Sequence, residues 1–110
     1  MKSAKKERLE KAGWRTGSAQ EFLGLSDEEA ALIEMKLALA QSLKQRRIAA
    51  ELTQAGLARR LRSSQSRIAK MEAADPSVSI DLLVRALLSL GTTRRELARV
   101  IGTRTASPAA

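Results

Sequence analysis

The sequence predicts an all-α fold, a bundle of five to six helices, and three observations carry that prediction. The first is composition. Of 110 residues, 44% are apolar, yet Trp14 and Phe22 are the only aromatics, so the core must be aliphatic. Ala, Leu, Arg, Glu and Lys abound, and these favour helix over strand. The second is punctuation. Ser18 with Glu21, Ser26 with Glu29 and Thr93 with Glu96 each place a hydroxyl three residues before a glutamate. That spacing lets the hydroxyl cap a helix N-terminus while the carboxylate reaches back to the cap residue's N–H. The third is periodicity: apolar residues step by three or four, and strand-like alternation is absent.

The elements follow in chain order. Residues 1–15 form a basic N-terminal arm, partly flexible, with Leu9 the main apolar residue of its first thirteen. A helical domain follows over residues 16–102. The Ser18–Glu21 box opens a short helix that Gly24 ends. The Ser26–Glu29 box opens a long helix over residues 27–50, about 36 Å at 1.5 Å per residue. It carries two apolar stripes. Leu32, Met35, Leu39 and Leu43 form one, and Ile33, Leu37 and Ala40 the other. A surface helix needs one such stripe, so one face is expected to pack the domain and the other to meet a second subunit.

Thr53 caps a short helix ending near Leu61, with Leu57, Ala58 and Leu61 on one side. A tight turn runs over Arg62 and Ser63. Ser64 caps the next helix, whose inner face is Ile68 and Met71. Helices this short are not stable alone and must pack on their neighbours. Pro76 breaks the chain before a helix over residues 79–90, whose core face is Ile80, Leu83, Leu87 and Leu90, joined by Val84 and Ala86. The Thr93–Glu96 box opens a last helix through Ile101, and Gly91 and Gly102 stand at helix C-termini. Residues 103–110 read as a disordered tail.

Charge and missing residue types narrow the function. The net charge is +8, distributed as +4 over residues 1–15, −5 over 16–35, +7 over 36–72 and +2 over 73–110. A basic block beside an acidic one fits a polyanionic partner on one surface, although a solvated face explains charge alone equally well. There is no Cys and no His. Disulfides, Cys/His zinc sites and histidine acid–base catalysis are excluded. No signal peptide or membrane-spanning run stands out, so a cytoplasmic protein is expected. No nucleophile–base pair or metal cluster is visible; no enzyme activity, cofactor or metal is expected.

The informative stretch is 47–72. Its Leu52-Thr53-Gln54, Leu57-Ala58, Ser64-Gln65-Ser66, Ile68 and Glu72 resemble the helix-turn-helix of the Cro/lambdoid-repressor (XRE-type) family. The resemblance implies a lambda-repressor-like DNA-binding fold with the helix-turn-helix at residues 53–72. It places Gln65, Ser66 and Lys70 at base-facing positions and Gln54 at a phosphate-contacting one. It also matches Arg47 and Glu72 to a partly buried ion pair of structural role. The residues suit these tasks. Glutamine can pair bidentately with adenine N6 and N7, and arginine with guanine, so Gln65 and Arg67 are candidate base readers beside Ser66 and Lys70. Ala69 is small enough for close approach. The helix N-termini at Thr53 and Ser64 offer backbone N–H groups to phosphates. Arg59, Arg60 and Arg62 form a basic cluster suited to phosphate or to solvent. Two departures stand out: Arg62 occupies a turn position where the family has Gly, and Gly56 lies inside a helix.

The segment 16–29, Thr-Gly-Ser-Ala-Gln-Glu-Phe-Leu-Gly-Leu-Ser-Asp-Glu-Glu, is similar to the leader of HigA-like antitoxins. This implies a homodimer that represses its own operon and neutralises a RelE/HigB-type toxin, with the acidic 16–35 block as a face for that basic partner. The alternatives are a stand-alone XRE-type transcriptional repressor without a toxin partner and a helical adaptor without DNA binding. A dimer on a palindromic operator is expected, with half-sites about 34 Å apart.

Overall fold

The computed structural model describes residues 23–103, and every described element is a helix. These are α1 (Asp27–Ala49), α2 (Gln54–Leu61), α3 (Gln65–Glu72), α4 (Ile80–Ser89) and α5 (Arg94–Ile101). The chain divides into two units at residue 35, so α1 begins in one and ends in the other. The basic arm, the Ser18–Glu21 box and the C-terminal tail lie outside the described residues.

The described part of the first unit is the start of α1. Gly24 has φ +72°, the left-handed conformation expected of a helix-ending glycine. The second box forms as the spacing required. Ser26 Oγ accepts from Glu29 N–H at 3.1 Å, and Ser26 N–H donates to Glu29 Oε1 at 2.9 Å.

The second unit, Met35–Thr103, holds one aliphatic core. Leu39 and Leu43 of α1 meet Leu57 and Ala58 of α2, Ile68 and Met71 of α3, Leu83 and Leu87 of α4, and Leu97 of α5. Leu39, Leu43, Leu57, Ile68, Leu83 and Leu87 are fully buried. Full burial of one such side chain is worth about 1.5–3 kcal/mol, which is what holds helices of eight to ten residues in place. The α1 stripes divide differently from the sequence expectation. Leu39, Leu43 and Ala40, drawn from both stripes, are all buried, whereas Leu32, Ile33 and Leu37 stay 45%, 43% and 38% exposed. The boundary falls along the helix rather than between its faces, because the core surrounds only the C-terminal half of α1.

Helix starts are set by side chains. Thr53, Ser64, Ser79 and Thr93 sit in extended conformation, and each accepts from a backbone N–H three residues on. Thr93 and Glu96 complete the third box. Helix ends are set by backbone. After α1, α2, α3 and α4 the chain reverses at Glu51, Arg62, Ala74 and Gly91, all with positive φ. Each reversal is closed by a six-to-one hydrogen bond: Leu52 N–H to Arg47 O, Ser63 to Ala58, Asp75 to Lys70 and Thr92 to Leu87. This is the Schellman pattern, used four times and with glycine once. Gly102 caps α5 at φ −80°, a conformation that does not need glycine.

Candidate nucleic-acid interface

The site is built from the two shortest inner helices. α2 and α3 pack against each other through Leu57, Ala58, Ile68 and Met71. The tight turn between them places Arg62 at φ +56°, ψ +48°. Arginine therefore adopts the left-handed conformation that glycine takes at no steric cost. Gly56, unexpected inside a helix, stands where a Cβ would lie 3.2 Å from Thr53 Oγ1, the atom that caps α2 through Gly56 N–H at 2.9 Å. Its absent side chain leaves the cap room.

Gln54 and Gln65 are the first residues of α2 and α3, each directly after its cap. That equivalence brings their amides together. Gln65 Nε2 donates to Gln54 Oε1 at 3.0 Å, and Gln54 Nε2 donates to Glu72 Oε1 at 3.2 Å. Glu72 in turn accepts from Arg47 Nε at 2.5 Å and Nη2 at 3.1 Å. The remaining Arg47 nitrogen, Nη1, donates to Leu52 O at 2.8 Å. An unbroken relay thus runs from α1 through the end of α3 and the start of α2 to the exposed Gln65. The Arg47 and Glu72 side chains are only 12% and 4% exposed. The hydrogen bond to Glu72 holds the Arg47 guanidinium above its usual pKa despite that burial. The sequence suggested the pair by resemblance but not the relay. Its one available signal was a glutamine at the same position of two successive capped helices.

Of the other candidate residues, Ser66, Arg67 and Lys70 are exposed on α3, and Ala69 is half-buried. Ser64, Ser66, Arg67 and Lys70 line one side of a cleft of about 310 Å³ whose other side includes Ser77. Ser77 escaped sequence reasoning, because its approach to α3 depends on the loop closed by Asp75. The Asp75 carboxylate accepts from Ser77 N–H at 2.9 Å and Oγ at 2.6 Å, and these bonds hold it below the usual carboxylate range. Thr53 and Ser64 are exposed but spend their hydroxyls on caps, the latter accepting from Arg67 N–H at 3.1 Å. Arg59, Arg60 and Arg62 are exposed. They are not equivalent: Arg60 Nη2 donates to Ser89 O at the end of α4, at 3.2 Å.

Two capped helices packed across a tight turn, with polar side chains displayed at the start of the second, define a helix-turn-helix module. The family model described as a helix-turn-helix domain matches residues 38–100. The chain belongs to that family. No curated protein and no solved structure matches the chain. Among the described residues no helix is long and apolar enough to cross a membrane, and no group of His, Cys, Asp or Glu could hold a metal ion.

Proposed function

We propose that this protein is a sequence-specific double-stranded DNA-binding transcriptional regulator of the XRE type. The recognition helix is α3. Gln65, Ser66, Arg67 and Lys70 read base edges in the major groove, and Thr53, Gln54, Ser64, Arg59 and Arg62 contact backbone phosphates, with Arg60 contributing less because it holds Ser89 O. The observation that carries the reading is the relay ending on Gln65. Its bond to Gln54 uses one amide hydrogen and fixes the plane of the side chain. The second hydrogen and Oε1 stay available for adenine N7 and N6. A hydroxylated cap at each helix start leaves first-turn N–H groups directed at phosphates.

The test is fluorescence anisotropy on the protein's own promoter and on a scrambled duplex, at one stated salt concentration. The promoter should bind more tightly. Gln65→Ala should erase about 1–3 kcal/mol of preference at one base position. Protein that ignores every duplex at low ionic strength would reject the reading.

The regulator is further proposed to be the antitoxin and autorepressor of a toxin–antitoxin operon, acting in the cytoplasm as a homodimer on a palindromic operator. Support comes from the leader at 16–29, from the acidic 16–35 block that complements a basic RelE/HigB-type toxin, and from the exposed Leu32, Ile33 and Leu37. Copurification from the native operon tests it: a small basic protein should accompany this chain. One observation favours a second reading, a stand-alone XRE-type repressor. The family match begins at residue 38, beyond the leader. A repressor that binds its promoter but copurifies with nothing would establish that reading.

A further inference from the structure

We propose that a cationic cavity behind the recognition helix binds a small organic anion carrying an apolar body, such as an aromatic carboxylate, and that its occupancy weakens operator binding. The cavity measures about 560 Å³ and lies among the α2–α3 turn, α3 and α4. That volume falls within the ~300–1,000 Å³ typical of small-molecule sites.

Its lining has two chemistries. Arg62, Arg67 and Arg85 supply three cations, and among the described residues no acidic one lines it. Arg85 pairs with Asp81 at 3.1 Å, but both side chains are more than two-thirds exposed, so the pair is weak and open to exchange. Leu61, Met71 and Leu82 supply an apolar wall. A backbone phosphate needs cations and no such wall; an anion with a hydrocarbon body uses both. The Ser63 hydroxyl also belongs to the lining and is buried without a hydrogen-bond partner among the described residues. Buried polar groups are ordinarily paired, so the wall carries an unmet polar group beside the cations.

Three lining residues, Arg62, Ser64 and Arg67, stand on the face assigned above to DNA. Ser64 caps α3, and Arg67 is a candidate base reader. An anion that engages Arg67 withdraws it from DNA and adds negative charge next to phosphates. This coupling rests on the proposed DNA-binding function; the cavity's occupancy does not.

The experiment therefore has separate arms. Amide shifts of the ¹⁵N-labelled full chain, free of DNA, are followed during titration with sodium salicylate, with inorganic phosphate and with benzyl alcohol at constant ionic strength. Salicylate should give saturable shifts over residues 61–67 and 82–86, and the other two should not at the same concentrations. Arg85→Gln should weaken salicylate about tenfold, the worth of one charge-assisted hydrogen bond, and leave duplex affinity unchanged without ligand. Saturating salicylate should lower promoter affinity in the wild type severalfold. Absence of saturable shifts at those amides overturns the site. Equal binding of phosphate shows a plain phosphate site and overturns the apolar requirement; equal binding of benzyl alcohol overturns the anion requirement. Salicylate that saturates the site without changing promoter affinity overturns the coupling. Failure of the wild type to bind any duplex sinks the DNA-binding reading instead and leaves the titration standing.

Discussion

Arg62 shows how a single residue can hold a left-handed turn position without changing the fold. Its φ of +56° costs an L-residue on the order of 1–2 kcal/mol, and the packing of α2 on α3 holds it there. Arg62→Gly relieves that strain, while the unfolded chain gains freedom worth about half of it. The variant should therefore be more stable by about 0.5–1 kcal/mol, seen as a higher urea midpoint with an unchanged slope. An unchanged or lower midpoint would show that the arginine stem contributes packing beyond its backbone. Thr92 is a second local defect. It is 3% exposed, and its hydroxyl has no partner among the described residues. A buried unsatisfied group costs about 1–3 kcal/mol, and an apolar replacement of the same shape removes that cost. Thr92→Val should raise Tm in calorimetry; a fall would mean that the hydroxyl is satisfied after all.

At the scale of elements, helix starts were more legible than helix ends, which showed in the sequence chiefly where a glycine marks them, for one physical reason. A cap works through a side chain, so Thr53, Ser64 and Thr93 mark their helices in the sequence, whereas Ser79, the first residue of the helix expected over 79–90, proves to be its cap. The Schellman reversal works through backbone hydrogen bonds and positive φ, and Glu51, Arg62 and Ala74 carry no side-chain sign of either. The Gln54–Gln65 contact was hidden likewise, since it exists only once the turn has superposed two helix starts. Two predictions belong here. Removing one partner of the Arg47–Glu72 pair leaves a nearly buried charge unpaired. Glu72→Ala should cost about 3–5 kcal/mol in denaturant unfolding, and pairing it with Arg47→Met should recover much of the loss. If the double variant is no better than the single, burial of the charge is not the cause. The second concerns α5. The Glu96 carboxyl is held below its ordinary value of 4.5, first by the Thr93 N–H and then by the Arg46 guanidinium, 2.6 Å away. A depressed folded-state pKa contributes stability that is fully present above the ordinary value and lost as pH falls through the folded one. Amide exchange in α5 should therefore accelerate as pH drops below about 4.5, relative to intrinsic rates. In Glu96→Gln that acceleration should be absent.

At the scale of the whole chain, the sequence's unequal charge distribution meets the fold. The +7 segment, residues 36–72, holds the C-terminal half of α1 together with α2 and α3, and so every proposed DNA contact. Composition alone could not separate a DNA-binding face from a solvated one, because both display exposed arginines. The fold distinguishes the arginines from one another, because it gives some of them intramolecular work. Arg60 donates to Ser89 O, closing the end of α4, whereas Arg59 is exposed and no such bond among the described residues ties it down. The two arginines, adjacent in sequence and equivalent by composition, should therefore behave differently. Each phosphate neutralised contributes about −0.9 to the slope of log affinity against log salt. Arg59→Ala should flatten that slope by about that amount and weaken promoter and scrambled duplexes alike. Arg60→Ala should change the slope less and lower thermal stability instead, since it frees a helix-terminal carbonyl. Equal slope changes for both would show that Arg60 leaves Ser89 to meet phosphate. A changed sequence preference in Arg59→Ala would place that residue against a base edge.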